Sequence, residues 1–284
     1  MILVTGAGGT VGGEVVKALS LEGASFRAAF HSEAKAAQAR DSGLDAVVVD
    51  FAKPETLQPA LEGISKLFLL SAARPDLAEG EARVSELARK AGVRHLVKLS
   101  VWRASEEEYA FARWHRASEK AIQASGIPFT FLRPNSFMQN VKTAFAESIR
   151  STRSLVLPAG HAKVSHIDAR DIAGVTARVL AEENHFGHAY DLSGPESLSY
   201  HQVAHTLSVV LGRKIAYADV SDEEFKRGTM QHGAEEWMAD ALLEMQHYAR
   251  RGQAVDVLGS VQQILGRRPI PFERFARDHS RSFL

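Results

Sequence analysis

Apolar positions along the chain fall into two alternating rhythms. Short, almost uninterrupted apolar or β-branched runs occur at Ile2–Thr5, Ser25–Phe30, Ala46–Val49, Lys66–Leu70, His95–Leu99 and Phe129–Leu132. Runs of that length without polar alternation predict parallel strands covered on both faces. Between them the spacing turns helical. Val11–Leu21 places Val15, Val16, Ala18 and Leu19 on one side, and Leu77–Ala91 does the same with Leu77, Val84, Leu87, Ala88 and Ala91 before Gly92 stops it. Glu106–Ser125 reads as a longer mixed helix ended by Gly126 and Pro128. Repeated strand–helix units of this size predict an α/β fold with a right-handed, doubly wound parallel sheet.

After Pro134 the rhythm changes. Helices are expected at Asn135–Ser151, Ala169–Ala181, Tyr200–Leu211, Glu223–Gly228, Glu235–Arg250 and Val255–Leu265, with short strands at Val164–Ile167, Tyr190–Leu192 and Lys214–Ala218. This reads as a main domain over 1–194 and a smaller, mostly helical domain over 195–284, with segment 135–165 packing toward the second. The first strand begins at residue 2, which leaves no room for a signal or transit segment and points to the cytoplasm.

Composition narrows the field. The 284 residues are 45% apolar and 24% charged, with Lys+Arg and Asp+Glu at 34 each. Such a balance offers no basic field for nucleic acid or an anionic membrane surface, and neither is an expected partner. There is no Cys, so thiol catalysis and thiolate metal sites are excluded. His201 and His205 share a helix face, but Gln202 stands where a zinc protease helix carries Glu, so no metal is expected. No Gly-x-Ser-x-Gly elbow marks a hydrolase.

The chemistry starts at Thr5-Gly6-Ala7-Gly8-Gly9-Thr10-Val11-Gly12, which follows a strand and opens a helix. Gly6 permits a tight turn, Gly9 lets the backbone approach a pyrophosphate, and Gly12 lets the helix pack close to the sheet. The amides of Gly9, Thr10, Val11 and Gly12 then meet phosphate at a helix N-terminus. This context predicts a Rossmann-type dinucleotide site. An NAD site usually carries an acid at the end of the second strand. Here the strand end is followed by His31, Ser32 and Lys35, which favours NADP(H); Glu33 keeps NAD(H) open. Asp50 and Phe51 are candidates for the adenine pocket, and Ser71, Ala72 and Ser100 sit at strand ends where an open sheet binds its ligand.

Several segments together resemble the NmrA-like branch of the atypical short-chain dehydrogenase/reductases. They are the glycine loop; Asp50-Phe51 with Pro54 and Leu57; His115–Ile122 followed by Ser125–Thr130 and Leu132–Asn140; His166–Ala173; and Tyr190–Pro195 with Phe272–His279. The resemblance implies a nucleotide-binding domain with a small C-terminal substrate domain. It also implies either an NADPH-dependent reductase of quinones, azo or triphenylmethane dyes and imines, or a redox sensor that binds NAD(P) and a protein partner. The usual short-chain dehydrogenase site has Tyr four residues before Lys. Lys120 is present, but Arg116 holds the Tyr position. Ketone reduction benefits from a positioned acid, whereas a quinone or conjugated dye gives a stabilised product that solvent can protonate. Hydride transfer to an electron-poor aromatic acceptor is therefore the leading expectation. Tyr109 replaces the acid only by folding back over the site. A sugar epimerase on the same fold ordinarily needs the absent Tyr. Lys120 is the candidate ribose contact, with Lys120, His115 and Ser100 as catalytic candidates, and Trp102, Phe137 and Trp237 are candidate walls of a flat acceptor pocket.

Overall fold

The computed structural model describes all residues from Met1 to Leu284. The chain divides into two compact units. The first comprises Met1–Glu106, Ala112–Pro134 and Ala169–Asp191, and the second Glu107–Phe111, Asn135–Asp168 and Leu192–Leu284. By packing, Asn135–Asp168 thus belongs to the second unit and Ala169–Asp191 to the first.

The first unit is built on strands β1 (Ile2–Val4), β2 (Phe26–Phe30), β3 (Ala46–Val48), β4 (Lys66–Leu69), β5 (His95–Leu99), β6 (Phe129–Pro134) and β9 (Ala189–Leu192). They form one sheet in the order β3-β2-β1-β4-β5-β6-β9. Every neighbouring pair from β3 through β6 is parallel; β4, for example, aligns Lys66 with His95 and Leu69 with Lys98 of β5. The chain runs outward from β1 to β3, then crosses back to lay β4 on the other side of β1. That reversal opens a crevice at the carboxyl ends of β1 and β4, where open α/β sheets bind ligands.

Helices α1 (Thr10–Leu21), α2 (Glu33–Asp41), α3 (Pro54–Leu61), α4 (Leu77–Lys90), α5 (Ala110–Ser125) and α7 (Ala169–Ala181) connect or cover these strands. On one side the core is made by Leu3, Leu67, Leu96 and Phe131 of the sheet against Leu57, Val84 and Ile122 of the helices. Central β5 is buried along its whole length, including His95 and Lys98. His95 Nε2 meets Thr130 Oγ1 at 2.9 Å, and Lys98 Nζ pairs with Glu81. A polar atom without such a partner would cost free energy in this interior.

The second unit holds α6 (Met138–Ser151), α8 (Tyr200–Leu211), α9 (Asp222–Gln231), α10 (Glu236–Arg250), α11 (Ser260–Leu265) and α12 (Phe272–Asp278). Two small ribbons brace them. β7 (Ser154–Val156) runs parallel to β11 (Ala216–Ala218), and β8 (Lys163–Val164) runs antiparallel to β10 (Leu198–Ser199). Met138, Leu155, Leu207, Phe272 and Phe283 are among its buried core. Gln202 has a structural task here: with Ser199 it closes a capping box at the start of α8.

Several predicted elements shift. The long helix expected from Glu106 begins only at Ala110, because Glu107, with a left-handed backbone angle (φ 57°), ends the 3-10 turn Ala104–Glu106 that precedes it. The helix expected from Asn135 begins at Met138. The Asn135 amide nitrogen is held by Leu192 O, and its side-chain oxygen accepts from Ser136 N. The helix expected from Val255 forms only at Ser260. No helix is long and apolar enough to cross a membrane.

Candidate active site

The glycine loop lies where β1 enters α1. Thr5 fixes it: its hydroxyl donates to Phe68 O at 3.2 Å and to Leu70 O at 2.9 Å, and accepts from Leu70 N at 2.8 Å. Gly6 turns the chain at φ 65°, and a Cβ there would stand 2.9 Å from the Leu70 side chain. At Gly12 a Cβ would lie 2.0 Å from Gly6 O, which no side chain tolerates. Gly9 is different: a Cβ there would meet only Gly6 O, at 3.3 Å, a tight contact that a shift of a few tenths of an ångström relieves. Beyond that one oxygen no other atom stands within 4 Å of the position. Gly9 is also the N-cap of α1, with no side-chain cap and no acid in the first turn. The first amides of α1 therefore have no side-chain acceptor there and present a positive helix end. An open approach and uncapped donors together fit a phosphate-bearing cofactor.

Around the loop, Lys35 folds over Gly8. A Cβ on Gly8 would stand 3.2 Å from Lys35 Cδ and 3.7 Å from Lys35 Nζ. Glu33, the one acid that argued for NAD, is engaged by Arg40 in an ion pair. His31 and Ser32 are exposed beside it. Asp50 accepts from Ala52 N at 3.0 Å, and Phe51 receives Arg83 Nη1 on its carbonyl at 2.8 Å. Ala72 is exposed, while Ser71 donates to Glu81 at 2.7 Å.

A charged network runs beneath the next strand ends. Glu81 and Lys98 are fully buried and paired, and Ser118 of α5 donates to the same carboxylate. Next to Ser118 in α5, buried Glu119 accepts Ser100 Oγ at 2.7 Å, Arg133 Nε at 2.8 Å, Arg133 Nη2 at 2.7 Å and Arg116 Nη1 at 3.1 Å. His115 is buried with its Nδ1 unpartnered; burial, helped by the Lys98 charge, holds its pKa well below the usual 6.5. It is therefore neutral at ordinary pH. Lys120 is exposed one turn after Arg116, on the same helix face. Asp191 at the end of β9 accepts Arg103 N at 3.1 Å, and burial raises its pKa.

Of the aromatic candidates, Trp102 is buried within the first unit, whereas Phe137, the N-cap of α6, and Trp237 of α10 are half-buried in the second. His201 is exposed and stacks on His161 at 5.4 Å. Glu81, Lys98, Glu119 and Arg133 are not among the candidate site residues expected from the sequence, although Glu119 and Arg133 lie in segments that carry the family resemblance. A charged residue inside an apolar strand, as at Lys98, was the available signal, because a buried charge demands a buried partner.

A parallel sheet reversed at β1/β4, with an uncapped glycine loop at the reversal, defines a nucleotide-binding α/β protein of the Rossmann type. The chain belongs to the NmrA-like family, whose model matches residues 1–266. It is 35% identical over 284 residues to the NAD(P)H azoreductase of Xenophilus azovorans, spanning 100% of this chain and 99% of that protein. Its structure resembles an Escherichia coli NADPH-dependent quinone oxidoreductase complexed with NADPH, with TM-score 0.88, 26% identity and 99% of both chains covered. It also resembles the Citrobacter sp. triphenylmethane reductase complexed with NADP(H), with TM-score 0.85, 28% identity, and 98% of this chain and 99% of that one covered.

Proposed function

We propose that this protein is an NADPH-dependent reductase that delivers hydride to a quinone, azo or similarly conjugated aromatic acceptor. The observation that carries the reading is the open, uncapped glycine loop with Lys35 laid across it. The kinship with proteins named azoreductase and quinone oxidoreductase supports it. In this reading the amides of Thr10, Val11 and Gly12 hold the pyrophosphate beside Gly9, whose own amide donates to Gly6 O at 2.9 Å, and Lys35, with His31 and Ser32, holds the 2′-phosphate. Asp50 and Phe51 flank the adenine. Ser71, Ala72 and Lys120 contact the ribose or nicotinamide side.

The cofactor supplies a hydride; the chain supplies position and field. Orientation alone lowers a barrier of this kind substantially. Arg116 cannot serve as an acid at ordinary pH, because a guanidinium keeps its proton. His115, held neutral, carries no surplus proton to give. The residues at this helix therefore suit acceptors whose reduced form tolerates a delay before protonation. NADPH oxidation measured against a panel of quinones, azo dyes, triphenylmethane dyes and imines tests the proposal. Turnover with at least one conjugated acceptor, without added metal, is expected. Tight NADPH binding with no acceptor reduced would replace the reductase by a cofactor-sensing protein.

A further inference from the structure

Two guanidinium groups converge on one carboxylate at the carboxyl end of β5. Glu119 is fully buried and receives both arms of the Arg133 fork, at 2.8 and 2.7 Å, plus the Ser100 hydroxyl at 2.7 Å. Arg133 alone is enough to neutralise it, in the bidentate geometry that guanidinium and carboxylate prefer. Arg116 adds a second cation through a single, longer contact of 3.1 Å. Asp191, the other nearby carboxyl, is influenced by Arg133 and Arg103. Arg103 in turn pairs with Glu106 at 2.9 Å. Arg116 is thus left with a share of an anion already claimed. Its Nε is buried without an acceptor, and its side chain remains about a quarter exposed, at 24%. An unmatched N–H on a partly dehydrated cation is costly, and it leaves this guanidinium less fully satisfied by Glu119 than that of Arg133.

The location says which anion. Ser100 immediately follows β5, and through Glu119 it fixes Arg116 beside that strand end. The glycine loop follows β1, and β4 separates β1 from β5. Two strand spacings amount to about 10 Å. The pyrophosphate position at the loop is therefore not the Arg116 position. The carboxyl ends of the strands next to the switch point face the ligand crevice of an open sheet, so Arg116 is placed to meet a part of the ligands other than the pyrophosphate.

We infer that Arg116 is a catalytic residue that binds the anion formed when the acceptor takes up hydride. This rests on the reductase reading above. The acceptor gains two electrons and one proton as hydride, and the nicotinamide is oxidised. A quinone thereby becomes the hydroquinone monoanion, and an azo group becomes the hydrazine anion. Arg116 donates hydrogen bonds to that oxygen or nitrogen without releasing a proton. Water supplies the second proton afterwards. The guanidinium takes over the electrostatic part of the missing acid's task and leaves the proton transfer to solvent, while Glu119 and Arg133 are positioning residues that hold it.

The test uses the full chain as wild type, Arg116→Gln and Arg116→Lys, with melting temperature and NADPH affinity as controls on fold and cofactor site. In Arg116→Gln, kcat with para-quinones should fall by about a hundredfold, the scale of losing one preorganised donor to a developing anion. The loss should be larger for acceptors whose reduced anion is more basic, and Arg116→Lys should recover part of it. A second readout needs no turnover. 4-Nitrophenol, whose colour reports its ionisation, should titrate at lower pH when bound to wild type with NADP⁺ than when free, and should show no such shift with Arg116→Gln. Equal kcat in wild type and Arg116→Gln, or a nitrophenol shift that survives the substitution, would overturn the inference. A loss confined to KM for sulfonated acceptors would also overturn it, making Arg116 a dock for a substituent. A nitrophenol shift in a protein that reduces no acceptor would sustain the anion site and remove the reductase reading instead.

Discussion

The glycine loop and the face of α5 are both candidate parts of one site, but they are built from different materials. The loop is backbone: its chemistry is a set of amides at the start of α1, and glycines make it by absence of side chains. The α5 region is side chain: buried charges on α4, β5, α5 and β6 hold one another in place. The first can be disabled by adding atoms. The second fails when one charge loses its partner. In the proposed reading, backbone amides serve the constant part of the chemistry, a dinucleotide phosphate, and the charge network serves the acceptor.

The largest expected effect is on the charge network. Glu119→Gln leaves two guanidinium groups on a neutral amide, and breaking a buried pair of this kind costs about 3–5 kcal/mol of stability. Lys98→Met should cost a similar amount by stranding Glu81, and the double variant Lys98→Met/Glu81→Leu should recover much of it, since a buried pair can often be exchanged for apolar packing. Urea unfolding of the three variants checks this; equal stability in the single and double variants would mean that the two charges are not coupled.

Inside the loop, Gly12 and Gly9 should separate cleanly. Gly12→Ala forces a Cβ to within 2.0 Å of Gly6 O, so the loop or α1 must move, at about 3 kcal/mol or more. Gly9→Val meets only Gly6 O, at 3.3 Å, and its melting temperature should fall far less. Matching melting temperatures for Gly12→Ala and wild type would show that α1 does not depend on this close approach.

Three buried histidines make acid stability a further probe. Burial pushes His166, and burial with the Lys66 and His185 charges pushes His95, from 6.5 to about 4, and His115 also lies well below its usual value. Each resists protonation in the folded chain more than in the unfolded one. The unfolded chain therefore binds more protons between pH 6.5 and 4, and stability present above pH 6.5 is lost as pH falls through that window. A shift from 6.5 to about 4 corresponds to about 3 kcal/mol for His166. Melting temperature from pH 8 to 4 should drop, and His166→Phe should flatten the drop. An unchanged pH slope in that variant would assign the acid sensitivity elsewhere.

The smallest expected effect is on cofactor choice. Lys35→Ala should weaken NADPH by about 1.5–3 kcal/mol, the scale of one charge-assisted hydrogen bond, and leave NADH nearly unchanged. Equal losses for both cofactors would move 2′-phosphate recognition to His31 or Ser32.

The contrast also explains what was legible in the sequence. Strands such as His95–Leu99 and helices such as Ala169–Ala181 and Tyr200–Leu211 fall where periodicity places them, because each buries a regular apolar face. Helix α2 escapes that signal: of its nine residues only Ala36 is buried. Helix α3 carries Pro59 inside it, a residue that ordinarily argues for a break. The glycine loop was readable because its constraint is local, within eight consecutive residues. The α5 network was not. Ser100, Glu119 and Arg133 are distant in sequence and meet only through the β5–β6 register, and Lys98 looked like one polar residue in an apolar run. The position of Lys35 over Gly8 likewise depends on how α2 returns to the loop, which spacing alone does not encode.

The most direct measurement is an NADPH titration, by fluorescence or calorimetry, of wild type and Gly9→Val, with melting temperature followed on the same samples. The loop account expects tight binding in wild type, none detectable in Gly9→Val, and a melting temperature without cofactor lowered far less than in Gly12→Ala, because the valine meets only Gly6 O, at 3.3 Å, and otherwise fills the approach to the phosphate. Equal NADPH affinity in the two proteins would contradict it and remove the cofactor from this loop.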